Sequence, residues 1–395
     1  MAHEMDINRT LKKVILLGQA LGYFPVIDLN RNPHFSVKSF RFGYAVFTMI
    51  GPCFMFAMQL VKAVTGSFTL FQVEKLSAYA GSAYACFVFI ELATKWSRLM
   101  EEWRFVENNM KNYGFPKKLN RNIYLIVVFF VTMLLVEYIL HQTSRIYRAK
   151  GCHEDHNRAI KFFLSNLTLS HVFHHIPYNI PTSFLIHYWL FQIHFAFTYV
   201  DIFVMIMSMC LASRLKQVSH KIQECASQKV IDPLVWHQLR KDYTHLVNLC
   251  HTTNEKISNA ILVSFLPNIF TILTQVYNSL KPRQNYVEAI YFYFSLVFLI
   301  SRTAMVVICG AMVNEESRTP LNILNSVPPR IYNREIEIMI KQISNFETSM
   351  NGKNFFNIKR HIILEIASAI VTYELVLIQF NNEYLNSWSK SNRCE

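Results

Sequence analysis

Ionisable and hydrogen-bonding side chains set inside apolar runs carry the chemical capacity of this sequence. Glu137, Asp201 and Arg302 each fall within a stretch otherwise fit for a bilayer core. A charged group there costs several kcal/mol unless paired or facing water, so such residues mark binding or ion-handling sites or a structural ion pair. Around them lie Tyr138, Trp189, Gln192, His194, Tyr199, Gln275, Tyr291 and Tyr293. Flat aromatic faces beside carboxylates and amides are what a polyhydroxylated ring needs, since the rings cover its C–H surface and the polar groups take its hydroxyls. The alternative for each aromatic is an ordinary place in the core or in an interfacial belt. A different chemistry is offered by His171-Val172-Phe173-His174-His175, with His153-Glu154-Asp155-His156 just upstream. Imidazoles at i, i+3 and i+4 share a helix face and could hold iron or zinc. No second box of that kind occurs, and P-loop, GxGxxG, GxSxG and H-E-x-x-H motifs are absent.

One further set is linear. Ile362–Phe380 is long enough to cross a bilayer, yet Glu365, Ser368, Thr372, Tyr373, Glu374 and Gln379 interrupt it. Glu365, Ser368, Thr372 and Gln379 fall on one helical face. Lipid rejects such a stripe, so it must face protein or water; several copies around an axis would make it the lining of a wet path.

The elements that must position these residues are spans. The chain is 52% hydrophobic, 14% aromatic and 16% charged, where soluble domains carry about 25% charged residues. Mean hydropathy is +0.19. Seven segments are apolar enough to cross: Tyr44–Val64, Leu76–Leu92, Ile123–Leu140, Phe184–Leu211, Ile261–Leu280, Val287–Met312 and Ile362–Phe380. The second is diluted by Ser77, Ser82 and Glu91. The fold class is therefore all-α and polytopic. The long connections are compatible with helices that project from the membrane. Lys12-Lys13 followed by Val14–Phe24 imitates a signal peptide, but the absence of a small-residue cleavage pattern favours a short buried or interfacial helix. Eight scattered cysteines form no C-x-x-C pair and suggest neither a zinc site nor a disulfide scaffold. A net charge of +13 without a dense basic run argues against nucleic acid.

Lys and Arg placement sets orientation. The tail before the first span and the second, fourth and sixth connections hold 27; the opposite connections and the C-terminal tail hold 10. The bias puts the N-terminus inside and the C-terminus outside, opposite to G-protein-coupled receptors. The sequon Asn166-Leu167-Thr168 then lies outside, where Asn166 can be glycosylated, and Asn8-Arg9-Thr10 lies inside.

Several stretches also carry a family likeness. Thr372-Tyr373-Glu374-Leu375-Val376-Leu377-Ile378-Gln379-Phe380 resembles the terminal signature of insect gustatory receptors, and its filling is similar to the sugar-receptor branch. Gly352-Lys353-Asn354-Phe355-Phe356 with Lys359-Arg360 resembles the lead-in of that branch. Ala93-Thr94-Lys95-Trp96 with Trp103 and Glu107, the run Phe197–Ile206, Arg214-Leu215-Lys216-Gln217, Arg302-Thr303, Glu316-Ser317 and Val327-Pro328 resemble further stretches in register. The chain departs at Ala367-Ser368-Ala369, where that pattern has a glycine.

The polar and aromatic residues of the outer helix halves give the candidate contacts Glu137, Trp189, Gln192, His194, Tyr199, Asp201, Gln275 and Tyr291; the resemblance implies a ligand pocket inside the helices and open to the outside, and adds weight to Trp189 and Asp201. It implies a tetramer whose seventh helices line one pore, with Gln379 and Phe380 forming the gate; Thr372 and Tyr373 are expected to set the packing below, and a helical-wheel reading puts Glu374 near the pore, where it would favour cations. The expected organisation is a cytoplasmic segment 1–42, six helices with the pocket and projecting loops over 43–312, a cytoplasmic anchor 313–361, the pore helix 362–381 and an outer tail 382–395. The expected activity is a sugar-gated, non-selective cation channel in the plasma membrane of sensory neurons. Its expected partners are a small sugar, lipid, monovalent and divalent cations, and identical or related subunits, with neither cofactor nor resident metal and no nucleic acid. Two other readings stay open: a seven-helix receptor that signals through a partner without its own pore, and a membrane di-iron or zinc enzyme built on His171, His174 and His175.

Overall fold

The computed structural model describes residues 7–29, 33–65, 70–116, 118–152, 156–165, 169–173, 176–279, 283 and 285–381. It is almost wholly helical. The helices are α1 (Ile7–Ala20), α2 (Phe40–Thr65), α3 (Leu70–Asn109), α4 (Leu119–Cys152), α5 (His156–Ser165), α6 (Ser170–Phe173), α7 (Ile180–Ser227), α8 (Pro233–Ser279), α9 (Tyr286–Asn325), α10 (Arg334–Asn345) and α11 (His361–Asn381). The described strands are two dipeptides, β1 (Val26–Ile27) and β2 (His34–Phe35), paired antiparallel between α1 and α2. His171 falls in α6, while Asn166, His153, His174 and His175 lie outside the described residues.

Among the described residues, α2, α3, α4, α7, α8 and α9 are long and apolar enough to cross a membrane. α11, at 21 residues, completes a seven-span bundle, its side chains being described through Val376. Five helices far exceed a membrane: α8 has 47 residues, or about 70 Å at 1.5 Å per residue, against a hydrocarbon core of about 30 Å. The excess accounts for the long connections. α7 and α8 extend beyond their apolar windows to a tight turn at Gln228–Asp232, and α9 runs on to Asn325 before α10.

α7 is the central post. Its apolar window is 94% buried, whereas that of α4 is 22% buried. The difference follows from composition: Ala196–Ala212 is apolar almost all round, and a helix apolar on every side belongs inside. α4 instead turns Leu125, Val128, Phe129, Leu135, Val136 and Ile139 outward, the face a lipid chain would cover. α1 is buried through Leu11, Val14 and Ile15, as a short buried helix should be. In the turn that follows it, Gly22 has φ +76° and a Cβ there would stand 2.2 Å from Thr48 Oγ1, so glycine is required by both conformation and space. Cys152 is disulfide-bonded, a link that the scattered cysteine spacing did not announce. Cys53, Cys86, Cys210, Cys225, Cys250 and Cys309 are free thiols.

The end of the bundle away from Cys152 is tied by polar contacts. Arg214 Nη2 meets Glu107 Oε1 at 2.8 Å and Nη1 donates to Gly114 O at 2.9 Å. Tyr113 Oη donates to Asp242 Oδ2 at 2.8 Å, and Tyr243 Oη to Ser317 O at 2.8 Å. Arg240 Nε meets Glu335 Oε2 at 2.6 Å, joining α8 to α10, with Glu335 held below the usual carboxylate range by that guanidinium. Trp96, Trp103 and Trp236 are fully buried beside these links.

Candidate functional site

α7 carries the candidate contacts on two opposite faces. At about 100° per residue, His194 and Asp201 point one way, while Trp189, Gln192 and Tyr199 point the other. The eight residues therefore do not line one cavity.

The first face meets α4, α8 and α9 and forms a polar cluster. Ser295 Oγ donates to Glu137 Oε1 at 2.5 Å, and Gln275 Nε2 to Ser295 Oγ at 3.4 Å. His194 Nε2 stands 3.6 Å from the other carboxylate oxygen of Glu137. The His141 ring lies parallel to that of His194, with centroids 6.0 Å apart, and packs on Tyr291 at 5.1 Å. Tyr138 closes the side at 5.4 Å from His194. Glu137 is buried, and His141 Nδ1 and Gln275 Oε1 are buried without hydrogen-bond partners. Unspent donors and acceptors beside aromatic faces can take the hydroxyls of a small polar ligand. The structure thus joins Glu137, His194, Gln275 and Tyr291. It adds His141 and Ser295, which the sequence reading missed. Each follows a chosen residue by four positions, His141 after Glu137 and Ser295 after Tyr291, so a same-face search along each helix would have found them.

Nearer the bundle centre, Asp201 is spent. It is 0% exposed. Its Oδ2 accepts from Asn268 Nδ2 at 2.9 Å and meets Arg302 Nε at 2.6 Å, and Oδ1 accepts from Ser264 Oγ. Arg302 Nη2 donates to Asn268 Oδ1 at 2.9 Å, and Nη1 to Thr198 Oγ1. Every oxygen of the carboxylate is engaged, the geometry of a structural ion pair that locks α7, α8 and α9 together. Pro267, next to Asn268, interrupts the α8 hydrogen-bond ladder at this level.

The second face of α7 holds the N-terminal elements. Gln192 Nε2 donates to Tyr188 Oη at 2.6 Å and to Tyr44 Oη at 3.2 Å. Tyr199 stacks on Tyr23 at 5.6 Å. The Trp189 ring packs on Phe47 and Phe54 and fills the space opposite Gly51, where a Cβ would stand 2.3 Å from Trp189 Cγ. These are packing roles against α1 and α2.

α11 is the other candidate element. It leans on α8 and α9 through Ile362, Ile363, Ile366 and Ile370. His361, Glu365, Ser368 and Thr372 fall on exposed positions, within about 60° of arc of one another, and the position of Gln379 falls in the same arc. Glu374 lies on the other side, half-buried. Leu364, Val371 and Leu375 form an exposed apolar strip beside the polar one. Gln379 and Phe380 belong to the last turns of the helix, past the described side chains.

A strap sets where α11 begins. Ile358 N donates to Met350 O at 2.7 Å, Asn351 N to Asn254 Oδ1 at 2.8 Å, and Asn314 Nδ2 to Thr348 O at 3.1 Å. Phe356 packs on Phe265 of α8 at 4.8 Å. The helices that carry the polar cluster are thus bonded to the segment that aims α11.

The profile of the trehalose receptor family matches residues 2–394. The chain belongs to the trehalose receptor family. Among curated relatives of this receptor, the gustatory receptor for sugar taste 64f of Drosophila melanogaster is 27% identical over 385 residues, 96% of this chain and 81% of the relative. The gustatory receptor 5a for trehalose of the same fly is 25% identical over 388 residues, 96% of this chain and 86% of the relative. In fold, the receptor is similar to the insect olfactory receptor OR5 from Machilis hrabei in complex with eugenol, with TM-score 0.69 and 14% identity over 94% of this chain and 98% of that one. The likeness over nearly whole chains supports the polytopic helical fold. The receptor is a multi-pass member of a gustatory family, as its terminal signature implied.

Proposed function

We propose that this receptor is a sugar-gated, non-selective cation channel of four copies, each contributing α11 to one central pore. The observation that carries the reading is the exposed polar stripe of α11. A single subunit does not cover His361, Glu365, Ser368 and Thr372, and lipid would reject them. Sister copies give the stripe water and give the strip Leu364, Val371, Leu375 a protein neighbour. The relatives named for sugar taste and for trehalose support a small sugar as the ligand class.

The sugar sits among Glu137, His141, His194, Gln275, Tyr291 and Ser295. Glu137 and Gln275 take hydroxyls, and the His141–His194 and Tyr291 rings cover the C–H faces. Binding draws α4 and α9 together, and the strap passes that movement to α11. Gln379 and Phe380 gate the outer end, a ring of Phe380 sealing by dewetting. The coupling is bounded by the sugar's differential affinity for closed and open states.

The N-terminus and the regions 1–42 and 313–361 are cytoplasmic, and the tail 382–395 and Asn166 are outside. Two features support this orientation: the Lys and Arg asymmetry, and the disulfide at Cys152, which suits an oxidising exterior. The site of action is the plasma membrane of sensory neurons. Expressing this chain alone and recording sugar-evoked current tests the reading. Current that tracks surface expression supports it; sugar binding without current favours a receptor acting through a separate partner.

A further inference from the structure

We infer that Cys152 is disulfide-bonded to Cys394, and that this bond ties the outer end of α4 to the chain beyond the pore helix α11. Elimination carries the pairing. The sequence has eight cysteines. Cys152 is disulfide-bonded. Among the described residues Cys53, Cys86, Cys210, Cys225, Cys250 and Cys309 are free thiols. Cys394, past the described residues, is the one that remains. Compartment agrees. The Lys and Arg asymmetry alone assigns both Cys152 and Cys394 to the outside. Cys53, Cys86, Cys210 and Cys309 fall within the spans, and Cys225 and Cys250 on the inner extensions of α7 and α8. The pair that an oxidising exterior can join is therefore Cys152 and Cys394.

Reach agrees as well. α4 and α11 run the same way, with Leu119 and His361 at their inner ends and Cys152 and Asn381 at their outer ends. Thirteen residues lead from Asn381 to Cys394, enough chain to span about 40 Å when extended. The bond forms by exchange with an oxidised dithiol: one thiolate displaces a sulfur of that disulfide, the second thiolate displaces the oxidant, and the oxidant leaves as a dithiol. It gives α11 a second anchor. The strap fixes the inner end through Asn254 and Asn314, and the disulfide fixes the chain past the outer end to α4. That helix carries Glu137 and His141 on the face that meets His194 and Tyr291, about four and three turns before Cys152. On the pore reading above, on which this role rests, a shift of α4 when sugar binds reaches the gate through the disulfide as well as through the strap.

Peptide mapping without reduction tests the pairing. Full-length receptor from the cell surface is alkylated at its free thiols and digested with trypsin. The expected species is the peptide 151–158 joined through Cys152 to the peptide that begins at Cys394, the two separating on reduction. Alkylated Cys152 or Cys394, Cys152 joined to any other cysteine, or a receptor dimer that only reduction dissociates overturns the pairing. Sugar-evoked current tests the tie. Cys152→Ser and Cys394→Ser should each lower the maximal current at equal surface expression, and the double variant should lower it no further, since both remove one bond. Sugar binding to solubilised protein should stay unchanged. If a variant fails to reach the surface, a membrane-impermeant phosphine applied outside wild-type receptor, oxidised as it reduces the bond to two thiols, should produce the same loss. Additive losses in the double variant, or currents that neither the substitutions nor the phosphine lowers, overturn the tie. A mapped bond with no sugar current from surface-expressed wild-type receptor overturns the pore reading, and the tie with it, and leaves the pairing standing.

Discussion

At the scale of single residues, the polar groups inside the bundle divide by whether their hydrogen bonds are spent. Asp201 has three donors on two oxygens and faces Arg302. Asp201→Ala leaves that guanidinium buried and unpaired, a loss of about 3–5 kcal/mol. The expected outcome is protein that does not reach the surface, read by surface biotinylation, with partial recovery when Arg302→Met is added. Glu137 keeps its second oxygen 3.6 Å from His194 Nε2. Glu137→Gln should fold and traffic normally but raise the half-activating sugar concentration about tenfold to a hundredfold, the worth of one hydrogen bond to a charged group; an unchanged dose–response curve would remove Glu137 from the ligand site. The sequence showed that Glu137, Asp201 and Arg302 were out of place in lipid and named an ion pair as one outcome. It did not show which of Asp201 and Glu137 would take Arg302. That depends on α8, where Asn268 and Ser264 stand beside Asp201 only after the helices pack. Trp189, Gln192 and Tyr199 were chosen for residue type and place in the outer half of a span, with the family resemblance adding weight to Trp189, and none of these reveals which face of a fully buried helix meets which neighbour.

Whole elements were more legible, because their signals are local. The apolar runs gave the spans, and the four-residue rhythm of Glu365, Ser368 and Thr372 gave the stripe on α11 without any tertiary knowledge. Glu374 was expected near the pore; the structure has it half-buried, on the side of α11 opposite the exposed Glu365. The strap was not legible. Its conformation rests on long-range bonds from Asn254 and Asn314 and on left-handed backbone at Lys353 and Asn354. Gly310 admits it, since a Cβ there would stand 2.8 Å from Ile358 Cγ2. Gly310→Val should therefore displace the strap and lower the maximal sugar current, with little change in sugar binding to solubilised protein. The strap also carries a pH dependence. Lys359 holds Glu347 below the usual carboxylate range, so the pair's stabilisation is complete above the ordinary carboxylate pKa and is lost as pH falls through the lowered one. Acid should lower the melting temperature of the solubilised receptor, and Glu347→Gln should reduce the part of that decline lying below about pH 4.

At the scale of the whole molecule, one arrangement accounts for both exposed strips of α11. The polar strip needs water, the apolar strip beside it needs a protein or lipid neighbour, and the isoleucine side is already occupied by the receptor's own α8 and α9. A ring of copies around an axis provides all three. Cysteine accessibility tests this central claim most directly. With Ser368→Cys, Thr372→Cys and Ile366→Cys introduced one at a time, a charged, water-soluble thiol reagent is applied during sugar stimulation while current is recorded. The account predicts rapid modification and lasting block at 368 and 372, and none at 366. Equal reactivity at all three positions, or protection of 368 and 372 from the aqueous reagent while sugar-evoked current flows, would contradict it.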